Sequence, residues 1–205
     1  MLTSRFGSGY GMGYSAFKEA QAFADLGHAV TIVHGNSDIV QYLDPRMCLI
    51  HVAMSRTPFV GLVLLYFRLR RLFIYQVDPK QFDVIYVQSL EFGIINFKRF
   101  NIPLFYFARS TMSGMMSVLL KEGKRLSYVD RLIHKWLVLL ERRCFSQSQV
   151  VFVKSQLMSG EVASFYGIDK KRIAVITGGI DEKDFVQEKK TDLNLRKKLG
   201  IDADA

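Results

Sequence analysis

The chain has 205 residues, of which 49% are hydrophobic and four are proline, so it can bury one large core and is not an extensively disordered protein. The net charge of +9 favours an anionic partner such as nucleic acid, a phosphate-bearing ligand or a membrane surface. Two distant cysteines exclude a disulfide framework and a cysteine-based metal site, and they indicate a reducing compartment. Residues 57–67 form an uncharged apolar stretch that is too short to span a membrane, and no signal peptide opens the chain, so we expect a cytoplasmic protein, free or peripheral at the inner face of the membrane.

The N-terminal segment has the pattern of a nucleotide-binding α/β fold. Residues 3–13, TSRFGSGYGMG, predict a glycine-rich loop, residues 14–26 a helix and residues 29–33 a strand. In such folds the glycines let the backbone approach a phosphate, which faces the N-terminus of the helix. Only about five residues precede the first glycine of this loop, so we expect a short first strand and a true start upstream of Met1.

The glycine loop allows two other interpretations. Gly11, Gly13 and Ala16 satisfy the dinucleotide fingerprint G-x-G-x-x-A. That fingerprint requires an acidic residue at the end of the second strand, whereas this strand runs into His34 and Asp38 comes late. NAD binding is therefore a weak interpretation. In the other interpretation the glycines only shape a tight turn.

The middle of the chain predicts three further strands. Residues 47–53 form one, and residues 58–75 then form an apolar helix that is either a core helix with a solvated basic end or a membrane-facing element. Residues 83–88 form the next strand, after which Ser89 is predicted to cap a helix over residues 90–100. The strand over residues 101–108 precedes Arg109, whose guanidinium either binds a ligand through its planar donors or forms a structural ion pair.

Residues 124–145 predict a long amphipathic helix. Its apolar stripe contains Leu126, Val129, Ile133, Trp136 or Leu137, Leu140 and Cys144. Arg131, Lys135 and Arg142 recur on another face, which is either solvated or in contact with anionic lipid. No RNA- or DNA-binding signature accompanies these charges, so nucleic acid is not the expected partner.

Residues 150–185 carry the most informative pattern. A strand over residues 150–153 leads to Ser155 as a helix cap, a helix to residue 166, Gly167 as its terminator and a strand over residues 173–176. Gly178-Gly179-Ile180-Asp181 and Phe185 follow. This order resembles the end of the N-terminal domain in GT-B glycosyltransferases of family 4, where Asn-Gly-Ile/Val-Asp precedes a phenylalanine. Gly178 stands in place of that asparagine.

Two N-terminal motifs extend the resemblance from Thr3 to about Ile201. The family has Gly-Gly-x-Gly, a helix and Gly-His-x-Val, and here Gly11-Met12-Gly13 and Gly27-His28-Ala29-Val30 follow in that order. Tyr10 replaces the first glycine and would narrow the approach of a ligand. The implied fold class is α/β: a Rossmann-like three-layer parallel sheet flanked by helices, the N-terminal half of a GT-B fold. Residues 1–185 would form this acceptor-side domain, and residues 186–205 a linker to an absent C-terminal donor-binding domain.

The resemblance also implies binding and docking residues. Arg109 lies six residues after Pro103, where many relatives have a histidine that contacts the donor, and Tyr86 and Gln88 replace two other histidines. The expected substrate-binding residues are Gly11, Met12, Gly13, Gln88, Glu91, Arg109, Ser110 and Thr111. Relatives that use lipid-linked acceptors dock through basic helices, which here points to Arg68, Arg70, Arg71, Arg131, Lys135 and Arg142. Glu141 is expected to be structural.

The implied reaction is the transfer of a sugar from a nucleotide-sugar donor to an acceptor glycan or lipid-linked saccharide. By resemblance it is a hexosyltransferase that retains anomeric configuration and serves polysaccharide biosynthesis, with no cofactor and no metal. Catalytic residues are expected in the absent domain, so the chain alone is predicted to be inactive. His28, His34, His51 and His134 are interpreted as isolated. The alternative is a non-catalytic Rossmann-like module that docks on an anionic membrane or pairs with a separate C-domain.

Overall fold

The computed structural model describes residues 1–7, 11–37, 44–54, 58–123 and 126–179, except for the side chains of residues 36, 37, 58 and 59. Within them, seven parallel strands form one sheet in the order β3-β2-β1-β4-β5-β6-β7. The strands are β1 (Leu2–Phe6), β2 (Val30–Ser37), β3 (Met47–His51), β4 (Ile85–Val87), β5 (Leu104–Ala108), β6 (Val150–Val153) and β7 (Ile173–Val175). Tyr10, Asp38 and everything predicted beyond residue 179, including Phe185 and the linker, lie outside the described residues.

Helices pack on both faces of this sheet. They are α1 (Gly11–Asp25), α2 (Pro58–Tyr75), α3 (Met112–Lys121), α4 (Tyr128–Gln147) and α5 (Gln156–Tyr166). Ile32 belongs to an apolar cluster with α1, whereas its neighbour Val33 belongs to a cluster with α2, α4 and α5. Because successive strand residues point to opposite faces, these clusters are the two sides of the sheet. The predicted Rossmann-like three-layer fold is confirmed.

The segment from β6 to β7 agrees closely with its prediction. Strand β6 and the end of α5 have the predicted bounds, and β7 ends one residue early. The Ser155 side chain accepts a hydrogen bond from the Met158 amide, and Gly167 is left-handed at φ 67°. Both caps satisfy backbone groups that a helix leaves unpaired at its ends. Helix α2 also has its predicted bounds.

The predicted helix over residues 90–100 is wrong. Two 3₁₀ segments, Leu90–Ile94 and Phe97–Phe100, stand there, and the Ser89 hydroxyl binds the Ser4 amide and hydroxyl instead of capping a helix. A Cβ at Gly93 would collide with the carbonyl oxygen of Leu140 in α4. The backbone of this segment thus lies directly against α4.

Other boundaries also differ from prediction, including those of strands β2 to β5. The predicted glycine loop contains strand β1, and Gly11, Met12 and Gly13 form the first turn of α1. Helix α4 begins at Tyr128, where Ser127 and Asp130 form a capping box, and it runs two residues past the predicted end. Helix α3 was not predicted.

The apolar stripe predicted along α4 is buried only near its C-terminal end. Leu140, Glu141, Cys144 and Phe145 are buried, whereas Val129 and Trp136 are about half exposed. Only the last turns of α4 therefore pack against the sheet, and its N-terminal half presents apolar side chains to solvent. No helix in the described ranges combines the length and apolarity that a membrane crossing requires.

Candidate functional site

Polar side chains from α1, β4 and β5 meet at the carboxyl edge of the sheet. Strand order reverses between β1 and β4, and this is the point where open α/β sheets bind ligands. Gln88 follows the end of β4 and Arg109 follows the end of β5, while Ser15 and Glu19 lie on the first turns of α1. We call Ser15, Glu19, Tyr86, Gln88 and Arg109 the edge cluster.

Arg109 is held from three sides within the edge cluster. Its Nη1 donates to Ser15 Oγ at 2.6 Å, and its Nη2 donates to Glu19 Oε1 at 2.9 Å and to Gln88 Oε1 at 3.1 Å. The guanidinium also lies 5.1 Å from the ring centroid of Phe107, within cation–π range. Arg109 therefore forms the structural ion pair that the sequence allowed. This ion pair lies at the sheet edge, where the alternative role of binding a ligand was also expected.

Glu19 is the hub of the edge cluster and was missed at the level of sequence. Besides Arg109, its carboxylate accepts hydrogen bonds from Tyr86 Oη at 2.7 Å, Gln88 Nε2 at 2.5 Å and Ser15 Oγ at 3.3 Å. The only sequence signal is the four-residue spacing of Ser15 and Glu19, which places both on one helix face. Burial, together with the charge of Glu19, raises the pKa of Tyr86 far above its usual range, so this hydroxyl stays protonated and donates.

The two predicted glycines of α1 have different surroundings: Gly13 lies against the backbone of Gly7, whereas Gly11 has open space around it. A Cβ at Gly13 would lie 3.2 Å from the carbonyl oxygen of Gly7, and the Gly7 amide donates to the Gly13 carbonyl at 3.3 Å. Gly13 therefore lets α1 approach the end of β1 closely. Gly11 has open space around it and Met12 is exposed, so both face solvent beside the edge cluster.

Three other predicted residues lie outside the edge cluster. Ser110 is exposed, and its hydroxyl donates to Met115 Sδ at 3.9 Å. Thr111 is buried and caps α3, and its hydroxyl donates to Glu161 at 2.9 Å. Glu91 is half-buried in the 3₁₀ segment after β4, where burial raises the pKa of its carboxyl and the charge of Arg5 opposes the rise.

A second polar group lies between α3, α4 and α5. Glu141 Oε2 accepts hydrogen bonds from the Met112 amide at 2.9 Å and from the Tyr166 hydroxyl, and that hydroxyl also contacts Ser113. Burial raises the pKa of Glu141 to about 6; both hydrogen bonds oppose this rise and the charge of Glu161 adds to it. These contacts agree with the structural role expected for Glu141.

His34 and His51 are not isolated, contrary to the prediction. They are paired residues of β2 and β3, with ring centroids 5.5 Å apart. His51 Nε2 contacts the Gly35 carbonyl at 2.7 Å, and burial, with the neighbouring charge of His51, lowers the pKa of His34. Within the described ranges, no three His, Cys, Asp or Glu side chains are grouped to hold a metal ion.

The predicted docking residues lie on exposed surfaces of α2 and α4. Arg68, Arg70, Arg71, Arg131, Lys135 and Arg142 are all exposed. Arg68 donates to the Ala53 carbonyl, and Arg142 donates to the Phe165 carbonyl at 3.3 Å. Large apolar side chains are exposed on the same two helices: Val60, Val63, Leu64, Phe67, Ile74 and Tyr75 on α2, and Tyr128, Val129, Leu132, Trp136 and Leu139 on α4.

A parallel seven-stranded sheet with helices on both faces defines a Rossmann-like α/β domain. The sequence model of the protein family Glycosyltransferase Family 4 matches residues 10–184, and the chain belongs to this family. Comparison with curated protein sequences finds no match.

Solved structures agree with this family assignment at the level of the fold. WaaG, a glycosyltransferase involved in lipopolysaccharide biosynthesis, is similar with a TM-score of 0.64 and 16% identity over 99% of this chain and 52% of its own. A glycosyltransferase from Rickettsia africae ESF-5 has a TM-score of 0.55 and 13% identity over 100% and 50% of the two chains. LpCGTa in complex with UDP has a TM-score of 0.55 and 12% identity over 90% and 55%. The chain thus spans about half the length of these GT-B glycosyltransferases.

Proposed function

We propose that the chain is the N-terminal, acceptor-side domain of a retaining glycosyltransferase. The complete enzyme would transfer a hexose from a nucleotide-sugar to a glycan or lipid-linked saccharide in polysaccharide biosynthesis. The observation that carries this proposal is the edge cluster. It is a group of polar side chains at the switch point of the sheet, in a chain that belongs to Glycosyltransferase Family 4. The UDP in the LpCGTa structure and the role of WaaG in lipopolysaccharide biosynthesis support a nucleotide-sugar donor and a cell-surface glycan.

This division of labour explains why the domain alone should be inactive. Sugar transfer requires donor and acceptor in near-attack geometry and electrostatic stabilisation of the leaving diphosphate. The edge cluster supplies hydroxyl, amide and carboxylate groups that suit an acceptor, and its one guanidinium is paired with Glu19. The groups that stabilise the diphosphate therefore belong to a second domain. In this proposal no cofactor or metal takes part and the nucleotide-sugar is a substrate.

The test starts from the DNA on both sides of the coding segment. We expect it to encode a second α/β domain, in the same frame or a neighbouring one. The two domains, produced together, should release nucleoside diphosphate from one member of a nucleotide-sugar panel when an acceptor extract is added. The 205-residue chain alone should release none. Turnover by the chain alone, or an inactive pair with every donor and acceptor, contradicts the proposal.

A second candidate function rests on the exposed face of α4. Tyr128 and Trp136 are 81% and 47% exposed, and Arg131 and Lys135 lie between them along the helix. Apolar side chains that can enter a bilayer interface, next to cations that meet lipid phosphates, are typical of peripheral membrane helices. We propose that this face docks the domain on anionic membrane. A non-catalytic docking module would use the same surface.

Vesicle flotation tests the docking function. The chain should float with vesicles that contain phosphatidylglycerol, and salt should release it because salt screens exposed charges. Replacement of Arg131, Lys135 and Arg142 by Gln should abolish flotation. The matched control replaces Arg68, Arg70 and Arg71 by Gln and removes the same charge from α2. If only this control loses flotation, α2 is the docking helix; flotation by both triple variants rules out docking through these basic residues.

A further inference from the structure

The edge cluster carries one positive and one negative charge in direct contact. Arg109 Nη2 lies 2.9 Å from Glu19 Oε1, and the side chains are 11% and 28% exposed. Because little solvent reaches this pair, its mutual attraction is stronger than that of a surface ion pair. A ligand that approaches the cluster therefore meets a nearly neutral group rather than a free cation.

An anionic ligand at Arg109 would compete with Glu19 and be repelled by its charge. The Glu19 carboxylate occupies an Nη2 donor of Arg109, and Ser15 Oγ occupies an Nη1 donor. A phosphate group that took these donors would also lie against the negative charge of Glu19, which would repel it. Glu19 itself is held by donors from Ser15, Tyr86 and Gln88, so moving it away would break those hydrogen bonds as well.

A neutral polyhydroxy group fits the same surroundings. Hydroxyls donate and accept, and the cluster presents the Glu19 carboxylate as an acceptor next to the Arg109 guanidinium, whose Nε–H and second Nη1 N–H are not used by Ser15, Glu19 or Gln88. An apolar surface adjoins it, because the ring centroids of Phe23 and Tyr86 are 6.0 Å apart and those of Tyr86 and Phe152 are 6.5 Å apart. Phe23 is 39% exposed. Polar groups beside an aromatic surface complement the hydroxyls and the C–H face of a sugar ring.

We propose that the edge cluster selects an uncharged sugar unit of the acceptor over a phosphorylated one, and that Glu19 determines this specificity by neutralising Arg109. This inference rests on the proposed acceptor-side function. It assigns Glu19 a role in recognition that differs from catalysis, and it makes Arg109 a hydrogen-bond donor to sugar hydroxyls rather than a phosphate-binding residue.

The decisive variant is Glu19→Gln, which keeps the size and an acceptor oxygen of the side chain and removes its charge. Inorganic phosphate and glucose 6-phosphate are titrated at low ionic strength, with the NMR signals of the Arg109 and Gln88 side chains as the readout. The wild-type chain should show no phosphate binding at Arg109. In Glu19→Gln the affinity for phosphate should rise about tenfold or more, since Arg109 then lacks a compensating charge.

Two control variants define the origin of that gain. The double variant Glu19→Gln with Arg109→Gln should lose it, because the cation is gone. Glu161→Gln removes a carboxylate that binds Thr111 outside the edge cluster, so it should behave as wild type. An equal gain in Glu161→Gln would show that only net charge matters and would overturn the proposal.

The wild-type titration decides the matter even if Glu19→Gln fails to fold. Phosphate binding at Arg109 in the wild-type chain overturns the inference, and its absence there supports it. The proposed transferase function is judged separately by release of nucleoside diphosphate. An active enzyme whose acceptor phosphate binds Arg109 would leave that function intact and refute the role of Glu19.

Discussion

Helices α3 and α5 are nearly equal in length, with 10 and 11 residues, but they are attached to the domain in different ways. Helix α5 buries Val162 and Tyr166 in the larger apolar cluster. Helix α3 buries none of its side chains, and polar contacts hold its first turn. Thr111 caps it, Glu141 accepts from the Met112 amide and Tyr166 contacts Ser113. Apolar burial therefore fixes α5, whereas hydrogen bonds to a buried carboxylate fix α3.

Tyr166 contributes to the attachment of both helices. Its ring packs in the core and its hydroxyl donates to Glu141. Tyr166→Ala should lower the free energy of unfolding by about 3 to 5 kcal/mol, as expected for loss of a buried aromatic ring. Tyr166→Phe keeps the ring and should cost about 1 to 3 kcal/mol, because Glu141 loses a donor. Urea unfolding measures both losses. Equal losses would mean that the hydroxyl, and not the ring, anchors α5.

The second prediction concerns the pH dependence of the contacts that hold α3. The pKa of Glu141 is raised from 4.5 to about 6 in the folded state, so its stabilising contribution is present below pH 4.5 and is lost as the pH rises through about 6. That loss corresponds to about 2 kcal/mol at neutral pH. Glu141→Gln keeps an acceptor oxygen and removes the titration.

The unfolding free energy of the wild-type chain, relative to that of Glu141→Gln, should therefore fall by about 2 kcal/mol between pH 4.5 and 7. Urea unfolding of the two chains across this pH range measures the change. A difference that does not change with pH would show that Glu141 does not titrate in the contact.

The third prediction compares the two N-cap residues. Ser155→Ala should cost about 1 kcal/mol, the usual effect of losing a cap. Thr111→Ala should cost about 2 kcal/mol, because it also removes the hydrogen bond to Glu161. Thr111→Ser retains the hydroxyl and should recover most of the loss. Thermal unfolding ranks the three variants, and a smaller loss for Thr111→Ala than for Ser155→Ala would contradict this account of α3.

The smallest effect is expected on the outer faces of the two helices. Leu120 of α3 is 58% exposed and Leu157 of α5 is 76% exposed. Replacement of either by Gln should change the unfolding free energy by less than about 0.5 kcal/mol. A larger loss at Leu120, measured by urea unfolding, would show that α3 is also held by apolar contacts and would remove the contrast with α5.

The same contrast explains which elements could be predicted from the sequence. Helix α5 has a serine at its start, a glycine at its end and strands on both sides, and these local signals fix its bounds. Helix α3 has no fully buried residue, and its apolar residues occupy both half-buried and exposed positions, so periodicity does not reveal it. Gly93 shows another limit, because its contact with Leu140 depends on a helix almost fifty residues later in the chain.

The candidate site was partly predictable for a similar reason. Gln88 and Arg109 could be placed because each directly follows a strand, and strand ends meet at one edge of a parallel sheet. The partner Glu19 lies on α1, 90 residues before Arg109. No local pattern links residues at that separation. Ser110 and Thr111 also follow β5, but the start of α3 turns them away from the edge cluster.

The position of β1 has a consequence for the order in which the chain folds during synthesis. β1 precedes the other six described strands in the chain but lies inside the sheet, and its second neighbour, β4, ends at Val87. Until that residue leaves the ribosome, β1, β2, β3 and α1 can form only a three-stranded unit around the smaller apolar cluster. One edge of β1 then carries unpaired backbone groups, which can join another chain. Slow translation before β4 should therefore increase aggregation of the nascent protein.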